Sequence, residues 1–322
     1  MKEYNLYYFC IIYLEQMNIL ITGGAGFVPS SLADKLLSQN HSVTLIDNFI
    51  TGYNYNIPTH SNCTFIEGNV NDFETVAKVI RSQQFDYIFH YAALVGVQRT
   101  LDNPILVLDD INGFQHILKL AVETKVKRVF YSSSSEVYGE PVHLPQHEET
   151  TPLNSRLPYA IVKNVGESYL RSYQQSYGLD YTIFRFFNTY GPKQSQDFVM
   201  SKFIQLAMDN KDITVYGDGS QTRTFCYIED NLDACISAMN SEIAKNDTFN
   251  IGNDTIVTIL ELAQTIIELT GSSSKIVHLP PLPEGDMTRR QPDISKMKTL
   301  LNRELTPFRE GIQRILVEKY GF

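Results

Sequence analysis

The chain has 322 residues, of which 43% are hydrophobic and 20% are charged, and its net charge is −9. A chain of this length can form one large domain or two modest ones around an ordinary soluble core. The negative charge argues against a nucleic-acid partner. The four cysteines are scattered, with no Cys-x-x-Cys motif and no histidine cluster, so we expect free thiols, a reducing compartment and no metal site.

Residues 1–16 precede the first pattern of a folded domain. Residues 4–14 are largely apolar, but this run is too short to span a bilayer and lacks the small-residue cleavage site of a signal peptide. We interpret residues 1–16 as an N-terminal extension or an upstream start, in preference to a membrane anchor. The expected protein is cytoplasmic and has no membrane partner.

The folded pattern opens with an apolar run at 18–22, a glycine turn (Gly23-Gly-Ala-Gly26-Phe27) and apolar residues at helical spacing over 30–39. This order is typical of a dinucleotide site, because a helix N-terminus offers free N–H groups to a pyrophosphate and glycines let the backbone come close. Pro29 stands where the fingerprint usually has a third glycine, in a first helical turn that tolerates proline. We therefore expect Gly23, Gly26 and Phe27 to contact the cofactor.

The carboxyl ends of the next three predicted strands supply the other expected cofactor contacts. The second strand, 42–46, leads into Asp47, whose carboxylate can hold both hydroxyls of an adenosine ribose and would repel a 2′-phosphate. This favours NAD over NADP. The ends of the third strand, 64–70, and the fourth, 85–90, can face the adenine and the nicotinamide ribose. The expected contacts at these strand ends are Asp47, Asn48, Asn69, Val70, Ala92 and Ala93.

A predicted helix at 103–124 and a fifth strand at 126–131 continue the alternation. Alternating helices and apolar strands indicate an α/β fold of the Rossmann type, with a doubly wound parallel sheet covered on both faces. Ligands of such sheets bind at the carboxyl ends of the strands. The stretch Ser132-Ser-Ser-Ser-Glu136 follows the fifth strand at that edge.

Tyr159 and Lys163 lie four residues apart and would share one face of the next helix. An adjacent ammonium favours phenolate, so we expect the pKa of Tyr159 to fall from about 10 toward neutrality. At neutral pH the side chain could then take a proton from a sugar hydroxyl. Ser134 is placed to share that proton.

Seven motifs occur in one order along residues 17–305. They are Thr22-Gly-Gly-Ala-Gly-Phe27, Asp47-Asn48, His90-x-Ala-Ala93, Ser-Ser-x-Glu-Val-Tyr-Gly139, Tyr159-x-x-x-Lys163, Phe187-Asn-Thr-Tyr-Gly-Pro192 and Gly217-Asp-Gly-Ser-Gln-Thr-Arg223. Together they resemble the extended short-chain dehydrogenases that act on nucleotide sugars. The resemblance implies bound NAD, a UDP-sugar substrate, and a hydride-transfer site in which Tyr159 is the base and Lys163 also reaches the cofactor ribose.

The resemblance also implies how the chain is divided. Residues 17–186 would form the NAD-binding domain and residues 187–322 a smaller nucleotide-sugar-binding domain, with about 226–258 returning to the first. The helices at 103–124 and 158–177 resemble those that pair in the homodimers of the family. The residues implied in substrate binding are Asn188, Tyr216 near the uracil, and Arg223 and Arg290 at the diphosphate.

The residues after the fifth strand separate the reactions of such enzymes. A 4-epimerase needs only Ser134, Tyr159 and Lys163, whereas Glu136 resembles the glutamate that removes the C5 proton in 4,6-dehydratases. In those dehydratases an aspartate before the glutamate protonates the departing 6-hydroxyl, and Ser135 occupies its position here. A serine before the glutamate resembles the UDP-glucuronate decarboxylases, which lose carbon dioxide and need no acid at C6.

Two further segments favour the dehydratase. Residues 97–100, Val-Gln-Arg-Thr, resemble a dehydratase motif, and Gly285-Asp-Met differs from the tail motif of the decarboxylases. The whole chain resembles the soluble UDP-N-acetylglucosamine 4,6-dehydratases, so the sequence favours formation of a UDP-4-keto-6-deoxy sugar, with inversion at C5 left open. UDP-glucuronate decarboxylation, 4-epimerisation and a non-catalytic sensor of NAD or nucleotide sugars remain alternatives.

Overall fold

The computed structural model describes residues 15–280 and 290–322. Most of the N-terminal extension and the tail motif Gly285-Asp-Met lie outside the described residues. Strands and helices alternate through the first half of the described chain, and shorter strands dominate the second half.

The described strands are β1 (Asn18–Thr22), β2 (Ser42–Asp47), β3 (Cys63–Glu67), β4 (Tyr87–His90), β5 (Arg128–Ser134), β6 (Asp180–Phe186), β7 (Thr189–Tyr190), β8 (Ile213–Tyr216), β9 (Thr222–Thr224), β10 (Cys226–Tyr227), β11 (Asp247–Ile251), β12 (Ile256–Thr258) and β13 (Ile276–Leu279). The described α-helices are α1 (Phe27–Ser38), α2 (Phe73–Arg81), α3 (Val97–Asp102), α4 (Pro104–Glu123), α5 (Pro158–Tyr177), α6 (Val199–Met208), α7 (Ile228–Met239), α8 (Ile259–Thr270), α9 (Ser295–Leu301) and α10 (Phe308–Tyr320). Short 3-10 turns occupy Asn54–Asn56 and Ser135–Tyr138.

Seven parallel strands form the central sheet, in the order β11-β6-β5-β4-β1-β2-β3. The chain builds outward from β1 to β3 and then crosses to β4 on the other side of β1. Open α/β sheets bind ligands in the crevice at such a reversal, outside the carboxyl ends of the strands. The predicted Rossmann-type fold is confirmed.

Both faces of the sheet are buried. Ile19 and Ile21 of β1 pack into one core cluster with Leu32 of α1, whereas Leu20 packs into the cluster on the opposite face. Because side chains alternate along a strand, burial on both faces requires the continuous apolar run that the sequence has here. The first cluster extends to Phe203 of α6, so the second half of the chain packs on the same core.

The remaining strands form three small pairs, β7 with β10, β9 with β12 and β8 with β13. β11 lies instead beside β6 in the central sheet, which brings the chain back to that sheet within the segment 226–258. Among the described helices, none is both long and apolar enough to cross a membrane.

Several strand boundaries and one element differ from the sequence prediction. α1 begins at Phe27, so Pro29 lies in its first turn as predicted, where a missing N–H breaks no helical hydrogen bond. β5 runs on to Ser134, because the serines after Tyr131 pair in register with β6. The short helix α3, before α4, was not predicted.

Candidate active site

Tyr159 and Lys163 lie in the first two turns of α5, on the side that faces β5. Nζ of Lys163 donates a hydrogen bond to the carbonyl oxygen of Ser132 at 2.6 Å. The same Nζ lies 5.6 Å from the centroid of the Tyr159 ring. Gly166, one turn further along, lets α5 lie directly on Tyr131, because an added Cβ would overlap the tyrosine hydroxyl group. This close approach holds both side chains at the carboxyl end of β5.

Burial changes the ionisation of both side chains. It raises the pKa of Tyr159 above its ordinary value and the charge of Glu136 raises it further, while a hydrogen bond with Ser134 acts in the opposite direction. Burial lowers the pKa of Lys163 to about 8, against the attraction of Asp110. The expected lowering of the Tyr159 pKa by Lys163 is therefore not met, because desolvation of the phenol outweighs it.

Glu136 and Arg290 form an ion pair close to Tyr159, whose pKa both of them influence. Nη2 of Arg290 donates to Oε1 of Glu136 at 2.6 Å, and each side chain is 16% exposed. Glu136 lies in the turn after β5, where its N–H donates to Oγ of Ser134 at 3.2 Å. In the structure, the guanidinium of Arg290 contacts the carboxylate expected to act at C5. Its predicted contact with the diphosphate stays a prediction.

The segment that carries Arg290 is fastened to the loop before α5. The N–H of Gln146 donates to the carbonyl of Gln291 at 2.7 Å, and the N–H of Asp293 donates to the carbonyl of Gln146 at 2.8 Å. Nδ2 of Asn250, in β11, donates to the carbonyls of Gln146 and Asp293 at 2.9 and 3.1 Å. These hydrogen bonds fix the guanidinium over the end of β5.

The glycine turn after β1 closes against the loop after β4. Gly23 has a φ of +74°, and a Cβ there would lie 2.9 Å from the backbone of Ala92. Oγ1 of Thr22 accepts the N–H groups of Tyr91 and Ala92 at 3.1 and 3.0 Å. The two loops therefore meet at the reversal between β1 and β4. Gly26 caps the N-terminus of α1 without a side chain.

Asp47 binds this turn from the end of β2. Its Oδ2 accepts the N–H of Ala25 at 3.1 Å and its Oδ1 accepts the N–H of Phe49 at 2.7 Å. Burial raises the pKa of Asp47 in spite of these two donors. A carboxylate has about four acceptor sites, so Asp47 keeps acceptor capacity for a ribose hydroxyl. Oδ1 of the neighbouring Asn48 accepts the N–H of Ile50 at 3.2 Å.

The loop after β3 lies further out. β3 ends at Glu67, so Asn69 and Val70 belong to this loop and not to the strand. Asn69 is exposed, and its Oδ1 accepts the N–H of Asn71 at 3.0 Å. Val70 is buried, and its carbonyl oxygen forms a hydrogen bond with Nδ1 of His116 at 3.2 Å. A position facing a bound adenine remains a prediction for both.

The predicted substrate-binding residues of the second half lie on neighbouring segments. Nδ2 of Asn188, just after β6, donates to the carbonyl of Thr224 at 3.1 Å. Arg223 precedes that residue in β9 and is partly buried. Tyr216 ends β8 with 40% of its surface exposed. The pairing of β9 with β12 and of β8 with β13 holds these side chains in place.

A family model described as the NAD dependent epimerase/dehydratase family matches residues 19–252. The chain belongs to this family. The resemblance to the extended short-chain dehydrogenases that act on nucleotide sugars is thus confirmed at the level of the family, and NAD is the cofactor of the chain.

Relatives within the epimerase/dehydratase family catalyse several reactions. The chain is 38% identical over 296 residues to the UDP-N-acetyl-alpha-D-glucosaminuronate decarboxylase of Bacillus cytotoxicus, covering 87% of this chain and 90% of the relative. It is 37% identical to UDP-glucuronic acid decarboxylase 1 of Danio rerio, covering 94% of this chain and 72% of the relative. The solved UDP-glucose 4-epimerase of Thermus thermophilus, a complex with NAD, matches with a TM-score of 0.86 and 28% identity, covering 95% and 99% of the two chains.

The residues at the reversal of the sheet fit NAD. The first turn of α1 has no acidic residue and no side-chain cap, so its free N–H groups suit a pyrophosphate beside Gly23, Gly26 and Phe27. Asp47 would hold the adenosine ribose, and Lys163 the ribose next to the reacting carbon. When bound, NAD would supply an acceptor for hydride at this end of the sheet.

Two features of this epimerase/dehydratase site are missing from the sequence prediction. Glu167 and Arg185 form a buried ion pair at 2.7 Å, and Glu167 accepts a hydrogen bond from Ser133 at 2.7 Å, which braces β5 under the site. Asp110 of α4 lines a small cavity with Tyr159 and Lys163. Its spacing of three and four residues from the buried Val107 and Phe114 is the signal that would have shown a carboxylate on the apolar face.

Proposed function

We propose that the enzyme decarboxylates a UDP-hexuronate, either UDP-N-acetylglucosaminuronate or UDP-glucuronate, to a UDP-pentose without net oxidation. The observation that carries the proposal is the Glu136–Arg290 ion pair beside Tyr159, with Ser135 in the position where a dehydratase has its acid. Both curated relatives described above are decarboxylases of UDP-sugar acids, which supports the same choice.

The chemistry of a 4-keto sugar acid explains why this site suits decarboxylation. Once C4 is a ketone, the C6 carboxylate is β to it. The C5–C6 bond can then break with loss of carbon dioxide, and its electron pair passes into the ketone to form an enolate. C5 takes one proton, and reduction of the ketone restores the 4-hydroxyl. No acid is needed at C6.

The residues of the site divide this work. Tyr159 exchanges the proton of the 4-hydroxyl, and its hydrogen bond with Ser134 lowers the pKa that burial raises. The ammonium of Lys163 lies 5.6 Å from the centroid of the tyrosine ring. Arg290 brings positive charge to balance the substrate carboxylate. Because a guanidinium can only donate, the Glu136 oxygen in the ion pair is an acceptor and is not poised to protonate a leaving hydroxyl.

The 4,6-dehydratase favoured by the sequence is the second candidate. Its support is the segment 97–100 and the presence of Glu136 itself, which a 4-epimerase does not need. A dehydratase here would have to protonate the 6-hydroxyl through Glu136 or through a water molecule, since a serine hydroxyl is a poor acid. The ion pair with Arg290 works against the first route.

Parallel incubations distinguish these reactions. The protein is mixed with UDP-N-acetylglucosaminuronate, UDP-glucuronate and UDP-N-acetylglucosamine in heavy water, and each mixture is followed by proton NMR. We expect a UDP-pentose carrying deuterium at C5 from one or both acids, and no change in UDP-N-acetylglucosamine.

Three outcomes would contradict decarboxylation. A C6 methyl doublet from UDP-N-acetylglucosamine, with both acids unchanged, would establish the dehydratase, and inversion at C4 without loss of carbon would establish an epimerase. No turnover of any UDP-sugar would favour a sensor. Tyr159→Phe is the negative control and should be roughly 100-fold slower, whereas Tyr173→Phe, further along the same helix, should keep its rate.

A further inference from the structure

A small cavity lies between β4, β5, α4 and α5, beside the catalytic pair. Its volume is about 10 Å³. A space of this size with polar walls holds about one water molecule. The side chains with polar groups on its wall include His90, Asp110, Tyr131, Tyr159 and Lys163.

His90 contributes a neutral ring to this wall. Oγ1 of Thr22 already accepts the N–H groups of Tyr91 and Ala92, so its own hydrogen points to Nδ1 of His90 at 2.9 Å. The hydrogen of the neutral imidazole is then on Nε2. Burial lowers the pKa of His90 to about 3, so the ring carries no charge at neutral pH.

Among the described residues that line the cavity, Asp110 is the one with a carboxylate. Its Oδ2 accepts the N–H of Leu94 at 2.9 Å, and the side chain of Asn71 also donates to it. The ammonium of Lys163 is bonded to the carbonyl of Ser132 and not to Asp110. The two opposite charges therefore face each other across the cavity without a direct ion pair.

We propose that Asp110 is a positioning residue for the chemistry at Tyr159: through one water molecule in the cavity, it holds Lys163 in its ammonium form. The water would donate to the carboxylate and accept from the ammonium. The proposal rests on Tyr159 and Lys163 as the hydride-transfer site, and it holds whichever UDP-sugar is the substrate.

Other titratable groups lie near Asp110 and Lys163 on each of the elements that pack around the cavity. They are His90 on β4, Tyr131 on β5, Tyr159 on α5, Asp109 on α4, and Glu136 after β5. His90 is neutral, and burial raises the pKa of Tyr131 well above its ordinary value, so neither ring carries a charge at neutral pH. Burial also raises the pKa of Tyr159, which is part of the reacting pair itself. Asp109 is exposed, and Glu136 is neutralised by Arg290. Asp110 therefore dominates the charge that Lys163 experiences.

Removing the charge of Asp110 should lower the pKa of both Lys163 and Tyr159. Its attraction raises the pKa of Lys163 against burial, and its repulsion raises the pKa of Tyr159. Without it, each group releases its proton at a lower pH. Both limbs of the pH–rate profile should therefore move toward lower pH, by about 1 unit. A purely structural defect would lower the rate without moving the limbs.

The test compares Asp110→Asn with Asp110→Glu and with Asp109→Asn, which removes a charge from the exposed neighbouring position. The first readout uses the full chain without added NAD or substrate. Lysines labelled with carbon-13 at Cε are titrated by NMR, and the Lys163 resonance is assigned by its absence from Lys163→Met. The second readout is the pH profile of kcat/KM on whichever UDP-sugar is turned over.

We expect the pKa of Lys163 to fall by about 1 unit in Asp110→Asn and to stay unchanged in Asp109→Asn and Asp110→Glu. An unchanged Lys163 pKa in folded Asp110→Asn would overturn the proposal. If Asp110→Asn does not fold, Asp110→Glu decides the matter, since a lowered Lys163 pKa in spite of the retained charge would also overturn it. Because the NMR readout needs no substrate, its failure is separate from failure of the proposed decarboxylation.

Discussion

Ser135 is the residue at which the requirements of decarboxylation and dehydration differ most. It is 3% exposed, in the turn between β5 and the rest of the site, and the carboxylate of Glu136 follows it. An aspartate at this position would supply the acid that a dehydratase uses, but it would also place a negative charge against the carboxylate of a UDP-hexuronate. One substitution therefore has opposite effects on the two reactions.

We expect Ser135→Asp to slow decarboxylation about tenfold or more relative to Ser135→Asn, which has nearly the same volume and no charge. Initial rates of carbon dioxide release from both variants measure the effect. Faster loss of a 6-hydroxyl from UDP-N-acetylglucosamine in Ser135→Asp than in Ser135→Asn would contradict the decarboxylase and support the dehydratase.

For single residues, the sequence predicts which side chains belong to the site better than it predicts which side chains contact each other. The i, i+4 spacing and the strand end were enough to predict that Tyr159, Lys163 and Ser134 share one site. Spacing carries no information about desolvation, so the direction of the Tyr159 pKa was missed. The contact of Arg290 with Glu136 depends on hydrogen bonds between its segment, the loop before α5 and β11. No local sequence pattern predicts these long-range hydrogen bonds.

At the scale of single elements, α4 and α5 carry the unexplained apolar surface. Val162 and Leu170 of α5 are buried within the chain and do not belong to that surface. The exposed aliphatic residues on these helices are Ile105 at 70%, Leu106 at 38%, Leu108 at 38% and Ile161 at 42%. A cluster of this kind marks an interaction surface more often than a solvated face.

We predict a homodimer formed through α4 and α5, because pairing two copies would cover this surface. Light scattering at micromolar concentration should give twice the mass of one chain. Ile105→Glu should yield the monomer, whereas Ile243→Glu, at another strongly exposed isoleucine outside these helices, should leave the dimer intact. A monomeric wild-type protein would show the prediction to be wrong.

The long, strongly patterned elements were predictable for a physical reason. α4 and α5 repeat their apolar residues at helical spacing, and β1 to β5 are apolar runs bounded by turns. The long-range pairing of β11 beside β6 and the position of Asp110 against the cavity depend on how distant segments pack. Both depend on tertiary structure. From the sequence, only a family motif or the position of a residue on a helical face gives information about them.

At the scale of the whole molecule, the two halves share one core, with the nucleotide crevice at the reversal of the sheet and Arg290 closing the site from the second half. This arrangement fits a reaction in which one bound cofactor oxidises C4 and reduces it again without leaving. We therefore expect the enzyme to couple an internal redox cycle to the loss of carbon dioxide.

The most direct test follows carbon dioxide release and NADH absorbance together while the enzyme turns over a UDP-hexuronate. We predict that carbon dioxide and UDP-pentose form in equal amounts while the NADH signal stays flat. Growth of NADH in step with product would mean that the hydride is not returned. That result would identify a simple dehydrogenase and contradict the mechanism.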